Sequence, residues 1–63
     1  MSRQESLDLI LATVIDTMTD LYTRAGISET DKQTYLSQGN ESFKTISINI
    51  YEKLLENGVV KND

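Results

Sequence analysis

Few residues in this chain could do chemistry, and the best placed are two aspartates. Asp16 and Asp20 stand four positions apart, one turn of a helix, close enough to share a cation or a proton. No third ligand stands near them, whereas an oxygen-bound divalent cation takes about six donors. Ser and Thr are plentiful, but the chain has no His and no Cys. Imidazole bases, thiolate nucleophiles, zinc fingers and disulfides are therefore all excluded. None of the lysines sits in an apolar run that would depress its pKa and make it a base or nucleophile. Gly26, Gly39 and Gly58 are too widely separated to form a phosphate-cradling loop. This inventory assigns no catalytic residue, no metal and no cofactor, and predicts a protein that is not an enzyme.

Charge offers a second kind of chemistry. Asp8, Asp16 and Asp20 project from the first predicted helix, and no Lys or Arg falls between Arg3 and Arg24. Such a candidate acidic face would attract a basic partner surface or imitate a phosphate array; an ordinary solvated face has the same composition. Ten acids against six bases give a net charge of −4, and the lysines are scattered. This balance argues against unaided binding to nucleic acid, which needs clustered Lys and Arg. A helix-turn-helix reading would send Ser42, Lys44, Thr45 and Asn49 into a major groove, but Lys44 is the only base near that helix start.

The element that must carry those aspartates is announced by an apolar stripe. Leu7, Leu11, Val14, Met18, Leu21 and Ala25 recur at steps of four and three, which puts them on one side of an α-helix. Ile10, Ile15 and Tyr22 widen the stripe to an arc of roughly 140°. Ser2 and Glu5 have the spacing of a capping box. Gly26, followed by Ile27, matches the left-handed residue and apolar contact that end many helices. These signals predict a first helix over 3–25. Ser28 or Thr30, with Glu29 and Asp31, starts a second, short helix over 29–38 that stops at Gly39. Asn40 is expected to cap a third over 41–57, which Gly58 terminates.

The third segment admits two readings. Thr45 to Tyr51 alternates strictly and is rich in β-branched residues, the signature of a half-buried strand. Helix is favoured because Tyr51 to Leu55 continues with helix formers, no hairpin turn precedes the run, and no second strand is available to pair with it. As a helix, Phe43, Ile46, Ile50 and Leu54 form one face. Ile48, Tyr51 and Leu55 extend the apolar arc to roughly 200°, more than one neighbour covers. Those three residues form a candidate protein interface, unless the short middle helix covers them.

The resulting fold class is all-α: two longer antiparallel helices, packed through the first stripe against Phe43, Ile46, Ile50 and Leu54, with a short connecting helix. Sixty-three residues make a single small domain that buries only about 60% of its unfolded surface. Lacking disulfides and metals, a domain of this size draws support from association, so a homodimeric helical bundle or an obligate complex is expected. The apolar run Leu9 to Ile15 is too short to span a membrane, and no signal peptide is evident, which predicts a cytoplasmic protein. Lys61 to Asp63 should fray.

The start Met1-Ser2-Arg3-Gln4-Glu5-Ser6, the length, and the helical, cysteine-free texture through Lys61 resemble the small open-reading-frame proteins of the exonuclease–excisionase region of lambdoid phages. The resemblance implies a non-enzymatic early phage protein in the host cytoplasm. Such a protein would influence lytic against lysogenic development, or host takeover, by contact with an unknown host or phage protein. The alternative expectation is a nucleic-acid-directed regulator, either a weak helix-turn-helix DNA binder or an acidic DNA mimic.

Overall fold

The computed structural model describes residues 2–61; the fraying expected at Asn62 and Asp63 lies outside the described residues. Three helices follow one another: α1 (Arg3–Arg24), α2 (Glu29–Gln38) and α3 (Asn40–Glu56). The described residues contain no strand, so Thr45 to Tyr51 is helical and the fold is all-α. Alternation lost to helix because the segment is continuous with good helix formers and has no strand to pair with.

Local chemistry sets most of the boundaries. Ser2 Oγ accepts the Glu5 N–H at 3.1 Å, and Ser28 Oγ accepts the Asp31 N–H at 3.2 Å. Each satisfies one of the orphan donors of a helix start. Two ends are built alike. Gly26 (φ +79) follows Ala25, with the Gly26 and Ile27 amides donating to the Thr23 and Tyr22 carbonyls. Gly58 (φ +71) follows Asn57, with the Gly58 and Val59 amides donating to Leu55 and Leu54. This paired bonding is the Schellman motif, and its positive φ favours glycine.

The start of α3 departs from expectation. Asn40 is its first residue rather than its cap; Gly39 takes the cap position, with no side-chain hydrogen bond. Gly39 is helical in conformation (φ −83, ψ −3) and closes α2 while opening α3. A single residue therefore joins two helices, leaving no room for a separate capping turn. The Phe43 ring lies so close to Gly39 that a Cβ there would sit 2.7 Å from it and 3.1 Å from the Tyr35 carbonyl oxygen.

Contacts along α1 show how the helices lie. Arg3 sits over the Tyr51 ring at 5.6 Å. Leu7 and Leu11 line one groove with Lys44, Ser47 and Ile48. Farther along, Tyr22 meets Tyr35 edge-on at 5.6 Å, and Thr23 meets Lys32. Partners fall in residue number as α1 advances, so α2 and α3 form one interrupted arm running antiparallel to α1. The shape is a long helical hairpin, 40 × 18 × 16 Å, with a radius of gyration of 13.5 Å. A compact 63-residue domain would have about 10.6 Å.

Only a thin core results. Phe43, Ser47 and Tyr51 are buried on α3, Ser6 on α1 and Lys32 on α2. The Ser47 hydroxyl is satisfied by the Phe43 carbonyl at 2.8 Å. The α3 face turned to α1 is thus centred on Ser47. Ile46 and Ile50, expected in the core, flank that line and remain 44% and 37% exposed. None of the α1 stripe residues is buried, and Leu21 and Ala25 are exposed. One interrupted arm covers too narrow a strip to close over the stripe.

Candidate protein-contact surface

The three residues expected to meet a partner part company. Ile48 is exposed, Leu55 is half-buried, and Tyr51 is 1% exposed, the most deeply buried large side chain. Tyr51 is corrected from partner surface to core. It lies four residues beyond Ser47, on the line that faces α1, with the Arg3 guanidinium over its ring. The short middle helix does not cover Ile48, because α2 lies along the far half of α1 and touches α3 little beyond their joint.

Two apolar hollows flank the α3 contact line. One, of about 270 Å³, is lined by Gln4, Leu7, Asp8, Leu11, Lys44, Ser47 and Ile48. The other, of about 300 Å³, is lined by Ile46, Asn49, Ile50, Lys53 and Leu54. The sequence pattern hides the second, because a helical wheel places Ile46 and Ile50 on the core face. The signal that could have found it is Ser47, too small to occupy the middle of an apolar face unless a neighbour approaches closely there.

The aspartates do not converge. Asp8 accepts a hydrogen bond from Gln4 Nε2 at 2.7 Å and borders the Ile48 hollow. Asp20 pairs with Arg24 at 3.1 Å. Asp16 is exposed. No group of three or more potential metal ligands occurs among the described residues.

At the hairpin tip, Lys32 is 6% exposed. Its ammonium donates to Thr23 Oγ1 at 3.0 Å and to the Glu29 carboxylate. This joins the end of α1 to the start of α2 and satisfies a buried charge that would otherwise be costly. The joint of α2 and α3 is one residue, shorter than the three- to four-residue turn of a helix-turn-helix. No helix among the described residues is long and apolar enough to cross a membrane. Comparison with known protein families, with curated proteins and with solved structures finds no match to this chain.

Proposed function

We propose that this chain is a small, non-enzymatic regulatory or adaptor protein that works through protein–protein contact, as a homodimer that engages a further host or phage protein. The observation that carries this reading is the incompletely covered stripe of the 22-residue α1: Leu7, Leu11, Val14 and Met18 are only half-buried and Leu21 and Ala25 are exposed. The chain exposes 4610 Å², about 500 Å² more than the ~4,100 Å² typical of a compact protein of its mass. Exposed apolar surface joined into patches marks interaction sites. The exposed acids and isolated lysines favour a protein partner over a phosphate backbone.

The reading includes cytoplasmic action as an early phage protein that shifts the balance between lytic and lysogenic development. It is supported by the likeness of chain length and N-terminal residues to the phage proteins above. Sedimentation at micromolar concentration tests the pairing: a species of twice the 7.1 kDa chain mass is expected, and a persistent monomer overturns it. Affinity capture from bacterial lysate tests the contact function. A specific protein lost when Ile48→Lys is used as bait, with helicity unchanged, supports it. Binding of DNA that weakens steeply with salt would instead support the nucleic-acid alternative.

A further inference from the structure

The ends of α1 and α3 share one backbone arrangement and differ in the residue before the glycine: Ala25 precedes Gly26, and Asn57 precedes Gly58. The Ala25 end shows that this turn forms without a polar side chain. Asn57 therefore brings to α3 something the turn itself does not require. It places a side-chain amide beside a backbone nitrogen that no following Cβ shields. Both residues are exposed, and a Cβ built on Gly58 would meet nothing within 4 Å, so water reaches the pair freely. Asn40 and Asn49, by contrast, precede Glu41 and Ile50, whose side chains crowd the corresponding nitrogen.

We propose that Asn57–Gly58 is a self-modification site, at which the chain's own backbone converts the side-chain amide to a carboxylate and uncaps α3. The Gly58 nitrogen loses its proton to solvent base and attacks Asn57 Cγ. The N–Cγ bond forms, the Cγ–Nδ2 bond breaks, and Nδ2 leaves as ammonia after taking a proton from water. The product is a five-membered succinimide, and nucleophile and electrophile belong to adjacent residues, so no separate reactant has to be brought up. Water then opens the ring. Addition at Cγ gives aspartate. Addition at the Asn57 main-chain carbonyl gives isoaspartate, which routes the backbone through Cβ and Cγ and makes it one atom longer.

The fold sets both the rate and the consequence. Asn57 Nδ2 donates to the Lys53 carbonyl at 2.8 Å, which turns the side chain back along α3. The Gly58 N–H donates to the Leu55 carbonyl at 3.1 Å. Both reacting groups are thus engaged, and both bonds must open first. Two such bonds slow the reaction on the order of 30-fold relative to the unfolded chain. After conversion, the carboxylate cannot donate to the Lys53 carbonyl, and it adds negative charge at the negative end of the helix. The longer isoaspartyl backbone also carries the Gly58 and Val59 amides out of register with the Leu55 and Leu54 carbonyls. The last turn of α3, with half-buried Leu54 and Leu55, is then free to fray.

Ageing the chain at mildly alkaline pH, followed by peptide mass spectrometry and amide hydrogen exchange, tests the site. The Asn57 peptide should gain the mass of an amide-to-acid change and split into aspartyl and isoaspartyl forms, ahead of the Asn40 and Asn49 peptides. In urea the conversion should run on the order of 30-fold faster. In the folded, aged chain the Gly58 and Val59 amides should lose protection, while the matching Gly26 and Ile27 amides keep theirs. Asn57→Gln, which can close only a larger ring, should show neither the mass change nor the lost protection. Conversion at Asn57 no faster than at Asn40 or Asn49 overturns the site. An equal rate in urea overturns the restraint by the two hydrogen bonds, and unchanged protection in the converted chain overturns the uncapping.

Discussion

Replacing Tyr51 with Ala tests the packing assignment that most changes the reading of α3. Tyr51 is 1% exposed, and a fully buried aromatic side chain removes about 150–250 Å² from water. At ~25 cal/mol per Å² that burial is worth about 4–6 kcal/mol, in line with the ~3–5 kcal/mol usually lost on truncating a buried aromatic residue. The Arg3 guanidinium over the ring adds about 0.5–1 kcal/mol. A 63-residue domain has a total stability of roughly 3–9 kcal/mol, so Tyr51→Ala should leave it largely unfolded or close to it. Ile48→Ala, on an exposed side chain, should cost under about 1 kcal/mol. Urea unfolding followed by circular dichroism, with parent and variants at the same protein concentration so that any self-association contributes equally, measures both. If Tyr51→Ala unfolds within about 1 kcal/mol of the parent, α3 does not present its 43–47–51 line to α1 and the hairpin geometry is wrong.

Two further substitutions probe the joints. Gly39→Ala would ordinarily stabilise a helical position by about 0.5–1 kcal/mol, but its Cβ would sit 2.7 Å from the Phe43 ring. A net loss of about 1–3 kcal/mol is expected from overpacking, read as a lower urea midpoint; a gain would mean that Phe43 does not pack on the joint. Lys32→Met keeps the buried stem and removes the ammonium, while Glu29 stays exposed to water. Replacing a buried ionic group by an apolar one of similar volume is neutral or stabilising by up to about 4 kcal/mol. Thermal melts should therefore show no loss, and a large drop would mark the Thr23–Lys32–Glu29 cluster as essential to the tip.

Local sequence specifies the three helices and most of their ends, the start of α3 at Gly39 excepted. Ser2 and Ser28 specify helix starts, and Gly26 and Gly58 specify ends, through bonds made within a few residues, so neighbours in sequence suffice to predict them. The absence of His and Cys likewise removed whole classes of chemistry without reference to shape. Which side of each helix is covered depends on packing between the helices. A helical wheel ranks faces by apolarity, and on that basis Ile46 and Ile50 outrank Ser47. Packing ranks them by how closely a neighbour can approach: small Ser47 lies on the line that faces α1, with buried Phe43 and Tyr51 one turn to either side. The single-residue joint at Gly39 then sends α2 along the far half of α1 instead of over α3. Both the buried Tyr51 and the open Ile46–Ile50 side follow from contacts more than thirty residues apart in the chain (Arg3 with Tyr51, Leu7 with Ser47), which no local pattern encodes.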